Sequence, residues 1–121
     1  MQKTIKNSIS ISGFGIHTGV FTNLTLTPAK ANSGIRFIRT DLDIKVEIKA
    51  DVSNVFSTER STGLKRGNVE INTVEHVLAA IVGAEIDNII IEVDNIEIPI
   101  LDGSSKEFMD LIKKAGITTL S

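Results

Sequence analysis

The sequence predicts an α+β two-layer sandwich, a mixed, mostly antiparallel sheet with two helices packed on one face. Three observations lead there. Apolar and polar residues alternate in the first half, an apolar run with a central turn pair lies around residue 94, and two segments carry helical periodicity between start and stop signals.

In chain order, Ile5, Ile9 and Ile11 alternate with polar residues, as do Leu24 and Leu26 between threonines, and Ile44, Val46 and Ile48 between Lys45, Glu47 and Lys49. Each pattern describes a strand with one face on a core and one in water. Further on, Ile89-Ile90-Ile91-Glu92-Val93 and Ile96-Glu97-Ile98-Pro99-Ile100 flank Asp94-Asn95, a pair that tolerates the positive φ of a tight turn, so a β-hairpin is expected. Pro99 cannot donate to a ladder and puts that second strand at an edge, or where the chain leaves the sheet.

The first helix is expected to start at Asn72, capped together with Glu75, and to stop at Gly83, with Val74, Val77, Leu78, Ile81 and Val82 as its core stripe. At about 100° per residue, His76, Ala79, Ala80 and Gly83 fall opposite that stripe. Past its first turn this helix therefore presents no charge outward, which predicts a partner surface docked over His76. The second helix is expected to open at Ser104, with Glu107 completing a capping box, to bury Phe108, Leu111, Ile112 and Ala115, and to close at Gly116. Its other face carries Lys106, Asp110, Lys113 and Lys114.

The 121 residues suffice for one core, and neither a repeat nor a linker-like shift of composition divides them, so a single domain over residues 1–121 is expected. The absence of cysteine excludes disulfides and thiolate metal sites and fits a reducing compartment. Met1 to Ser8 has no apolar run behind its lysines, and no stretch approaches a membrane span, so a soluble, cytoplasmic protein is expected. A net charge of −2 and only five aromatics, all phenylalanine, argue against a nucleic-acid partner.

Four segments carry possible chemistry. Thr73-Val74-Glu75-His76 puts a carboxylate and an imidazole on adjacent positions of a helix's first turn, where they can address one water as base and metal ligand. The same residues also read as a cap and a surface histidine. A helical His-Glu-x-x-His zinc site is excluded by Asn72 and Ala80 at the required positions, and two histidines with no cysteine fall short of the three protein ligands of a catalytic zinc unless carboxylates or another segment contribute. Ser12-Gly13-Phe14-Gly15-Ile16-His17-Thr18-Gly19 reads as a glycine turn between strands; a phosphate cradle is disfavoured because no helix follows it. Phe56 to Gly63 is a polar segment whose hydroxyls and Arg60 either meet a polar ligand or form an ordinary surface loop, and Asp102-Gly103-Ser104 reads as a turn into the second helix.

Taken together, Gly13-Phe14-Gly15-Ile16-His17-Thr18-Gly19, Arg39-Thr40-Asp41-Leu42, Thr73-Val74-Glu75-His76, Ile86-Asp87-Asn88 and Glu97-Ile98-Pro99-Ile100-Leu101-Asp102-Gly103-Ser104 resemble the UDP-3-O-acyl-N-acetylglucosamine deacetylases, the LpxC family, over nearly the whole chain. The resemblance implies the fold of the second domain of ribosomal protein S5. It also implies that the chain is the first of two similar domains of a zinc-dependent enzyme of lipid A biosynthesis, with the second domain absent. On that resemblance His76 is the one zinc ligand supplied here and Glu75 the general base. The remaining ligands, in a His-Lys-x-x-Asp motif, and a histidine acting as general acid belong to the second domain. The loop before the first helix, with Glu59, Arg60 and Ser61, would touch the UDP-linked acylated glucosamine, and the uncharged helix face would meet the missing domain. The isolated chain is then expected to be inactive and prone to self-association. A stand-alone, non-catalytic binding module of the same fold, RNA-associated or otherwise, is the competing reading.

Overall fold

The computed structural model describes residues 1–57 and 61–121. Its centre is a five-stranded sheet formed by β2 (Ile9–Phe14), β3 (Phe21–Pro28), β4 (Ile35–Arg39), β5 (Val46–Lys49) and β9 (Ile89–Val93), in the order β2-β3-β9-β4-β5. The triple-isoleucine strand β9 sits in the middle, antiparallel to β3 and parallel to β4, and every other pairing in this sheet is antiparallel. An apolar run suits that position because a central strand needs no solvated edge. One face of the sheet is polar: Ser10 bonds Thr25 (2.7 Å), and Arg36 bridges to Glu47 (2.9 Å). The other face, with Leu24, Leu26, Phe37, Ile48, Ile91 and Val93, is buried.

Two helices complete the second layer, α1 (Glu75–Gly83) and α2 (Lys106–Ala115), contributing Val77, Ala80 and Ile81, and Phe108, Ile112 and Ala115, to the same core. The fold is thus an α+β two-layer arrangement, as expected. Two smaller sheets flank it. β1 (Lys3–Ile5) pairs with β10 (Ile117–Thr119) and joins the two ends of the chain, while β6 (Val55–Ser57), β7 (Thr62–Arg66) and β8 (Val69–Asn72) form an antiparallel meander leading into α1. The buried Arg39 ties that meander to the main sheet: Nε and Nη2 grip Asp41 at 2.8 and 2.7 Å, and Nη1 donates to the Glu70 carbonyl at 2.8 Å.

Several expectations are corrected. The hairpin around Asp94-Asn95 does not form. Instead Asp94 accepts hydrogen bonds from the Asn23 backbone and side chain, and the chain leaves the sheet to meet the end of β8 through a parallel bridge between Asn72 and Glu97. Ile44 lies outside β5 and is 78 % exposed. The buried face of α1 is turned toward Ala80, which is 1 % exposed, while Val82, expected in the core, is 66 % exposed. Small Ala80 permits close packing, and the helices approach so tightly that a Cβ on Gly83 would lie 3.3 Å from the Met109 methyl. The rotation leaves Ala79, Val82 and Gly83 on the outer face, which past the first turn remains uncharged. The capping box expected of Ser104 and Glu107 is not made: α2 starts one residue later than that, with Ser105 at its N-cap and no side-chain capping bond. The Ser104 hydroxyl accepts from the Lys106 amide (3.2 Å) within the preceding turn, and the helix closes on Gly116 at φ 84°.

Candidate active site

The cleft of interest is built where three segments meet at the N-terminus of α1. Ile16 and His17 come from the β2–β3 connection, Thr73, Glu75 and His76 from the entry to α1, and Ile100 to Gly103 from the stretch before α2; together they line an open space of about 480 Å³. Glu75 and His76 thus face the same space as His17 and Asp102, residues that lie far apart in sequence.

The Asn72–Glu75 capping pair is not made. Asn72 is still the last residue of β8, its amide bound to the Ile96 carbonyl (2.7 Å) and its carbonyl to the Ile98 amide (3.1 Å), and its side chain donates to Glu70. One residue on, Thr73 takes φ 63°, a left-handed conformation that is costly for a β-branched residue. The chain therefore turns sharply between sheet and helix, and Asn72 is spent on the sheet. Glu75, released from capping, accepts a long hydrogen bond from the Thr62 amide on Oε2 (3.4 Å), while its Oε1 is buried with no hydrogen-bond partner among the described residues. Buried carboxylate oxygens are rarely left so. Of the three expected substrate contacts, Ser61 directly precedes Thr62 and so adjoins the Glu75 contact, whereas Glu59 and Arg60 lie outside the described residues.

The glycine turn at 13–19 is explained by a residue that periodicity alone assigned to an ordinary strand, Glu97. Its carboxylate sits under the loop and accepts from the amides of His17 and Thr18, at 3.2 and 2.9 Å, and from the Thr18 hydroxyl at 2.7 Å. The loop's donors are occupied by an internal anion rather than by a phosphate, and a Cβ on Gly15 would run into that carboxylate. Burial by itself pushes the Glu97 carboxyl up, but the hydrogen bonds from Thr73, Thr18 and His17 outweigh it and hold the group below its ordinary value. The exposed Asp102 is also lowered, by the amide and hydroxyl of Ser104. The signal that marked both acids was the block Glu97 to Ser104 in the family resemblance; their partners were not visible in it.

Comparison with known proteins identifies the family of the chain. The family model for UDP-3-O-acyl N-acetylglycosamine deacetylase (LpxC) matches residues 2–121. The chain belongs to the LpxC family. Curated LpxC relatives named UDP-3-O-acyl-N-acetylglucosamine deacetylase, from Cellvibrio japonicus, Coxiella burnetii and Geobacter sp., are 49, 48 and 46 % identical over 116 residues, 96 % of this chain. The chain spans 38 % of the length of those LpxC relatives.

The LpxC relationship makes a metal ion relevant. Among the described residues no group of three His, Asp or Glu side chains is placed to hold one. What the cleft offers is one corner of such a site, His76 lining the same space as Glu75, whose Oε1 has no hydrogen-bond partner among the described residues. That donor set fits a metal shared with ligands from another segment, as the chemistry of a three-ligand zinc requires.

Proposed function

We propose that this chain is the first of two similar domains of a zinc-dependent UDP-3-O-acyl-N-acetylglucosamine deacetylase, a cytoplasmic amide hydrolase of lipid A biosynthesis. In this reading the second domain closes over the cleft and over the uncharged outer face of α1. The observation that carries it is Glu75 Oε1, buried and without a hydrogen-bond partner among the described residues, at a cleft shared with His76, in a chain of the LpxC family.

His76 holds the zinc here, and the second domain supplies the remaining ligands. Bound at such a site, zinc supplies Lewis acidity toward the amide carbonyl. Glu75 takes the proton of the attacking water on Oε1, with Oε2 held by the Thr62 amide so that the carboxylate keeps one orientation. The C–N bond then breaks, acetate leaves, and the amine receives its proton from an acid outside this chain. Glu59, Arg60 and Ser61 contact the UDP-linked acylated glucosamine from the segment leading into β7. No described helix is long and apolar enough to cross a membrane.

Glu75→Gln in the enzyme that carries this domain tests the assignment. The expected result is a turnover number lowered about 10²- to 10⁴-fold with metal content near normal. A fully active Gln variant would overturn the role of Glu75 as base.

A further inference from the structure

Glu97 has no opening to the cleft, and yet it touches both of its walls. The residue is 0 % exposed, and its carboxylate accepts hydrogen bonds from two segments more than fifty positions apart in the chain. Oε1 receives the amides of His17 and Thr18 and the Thr18 hydroxyl. Oε2 receives the Thr73 hydroxyl at 2.6 Å and a second, longer contact from the His17 amide at 3.3 Å. Its backbone is equally fixed, since the Thr22 hydroxyl donates to its carbonyl at 2.7 Å and its neighbours Ile96 and Ile98 both pair with Asn72. The Thr73 contact falls on a residue held in the left-handed region two positions before Glu75. Such a conformation persists only where the surroundings over-determine it.

We propose that Glu97 is a positioning residue, a buried anion that clamps the His17 loop and the Thr73 turn in one register and thereby sets where Glu75 and His76 stand in the cleft. The proposal rests on the deacetylase reading for its readout. A neutral amide of the same shape replaces the carboxylate poorly, because each of its oxygens accepts a backbone N–H from His17 or Thr18, and a glutamine NH2 in either place would point donor at donor, with only a threonine hydroxyl able to turn and accept it. Mispositioning of a reacting group by about 1 Å is enough to cost on the order of 10²-fold in rate.

The experiment uses the full-length enzyme with Glu97→Gln, Thr73→Val and Thr73→Ser, each assayed per folded, metal-loaded molecule, with Glu75→Gln as control. Glu97→Gln and Thr73→Val are expected to lower kcat about 10- to 100-fold with KM changed much less. Thr73→Ser, which keeps the hydroxyl, should restore most of the loss, and the double variant Glu97→Gln with Thr73→Val should lose less than the product of the two single effects, because both break one clamp. If Glu97→Gln does not fold, the pair Thr73→Val and Thr73→Ser decides alone. Unchanged kcat per folded molecule in Thr73→Val or Glu97→Gln, with Glu75→Gln inactive, overturns the clamp and leaves the deacetylase reading intact. Activity retained in Glu75→Gln as well strikes the reading itself.

Discussion

Asp41 and Glu97 are placed where several donors converge, and their protonation is therefore part of the fold. Asp41 is held below its ordinary value of 3.8, first by the Arg39 hydrogen bonds and also by the charge of that guanidinium. A carboxylate with a depressed folded pKa stabilises fully above its unfolded value, and that contribution is lost as pH falls through the folded value. Stability should accordingly be flat in this respect from neutrality down to about pH 5 and decline below it, with Glu97 acting in the same sense from its ordinary value of 4.5. Asp41→Asn should lower the urea midpoint at pH 7, where Arg39 loses its charged partner beneath the β4 end. The variant and wild-type curves should converge on acidification, at a pH below the lowered folded value of Asp41, where both side chains are neutral. A deficit of equal size at both pH values would show that shape, not charge, makes this contact.

At the scale of the element, α1 shows how far a helical pattern can be trusted. Periodicity put Ala80 outward and Val82 inward, whereas packing against α2 and the sheet reverses the two. Ala80→Glu should thus place an unpaired charge in the core and cost about 3–5 kcal/mol, close to the whole stability of many small domains. Val82→Glu should stay within about 0.5 kcal/mol of wild type, as surface changes do. Chemical denaturation of the two variants distinguishes them directly, and equal losses would contradict the helix orientation. Val82→Glu is also the right probe of the outer face. If Ala79, Val82 and Gly83 make the isolated chain self-associate, sedimentation should resolve an association that Val82→Glu abolishes. A wild-type chain that stays monomeric at high concentration would show that the face is not sticky.

For the whole molecule, the decisive fact is that a chain of LpxC sequence brings His17, His76 and Glu75 to its cleft, without a three-residue metal set among its described residues. We expect the 121-residue protein to release no acetate from UDP-linked acylated N-acetylglucosamine, with or without added zinc. Chelator-sensitive release by the purified chain would mean that a complete site is assembled here, by the chain itself or by copies of it. A downstream coding segment bearing His-Lys-x-x-Asp would favour a piece of an enzyme over a stand-alone binding module.

Local patterns carried much of this protein. The alternation in Leu24 and Leu26, the apolar run at Ile89, the stripe of Phe108, Ile112 and Ala115 and the stop at Gly116 each depend on nearest neighbours along one element, and each is where the sequence put it. The family was legible because five short motifs recur in order. What sequence alone could not decide was every feature that rests on partners distant in the chain. Asp94-Asn95 has the chemistry of a hairpin turn, but Asn23 takes up Asp94, and Asn72 captures the segment that follows. Glu97 alternates like a solvent-facing residue and is instead fully buried, because donors from residues 17, 18 and 73 converge on it only in three dimensions. Asn72 reads as a helix cap and is a strand residue for the same reason. Backbone and side-chain polar groups bind the best partner available, and which partner is available is a property of the assembled fold.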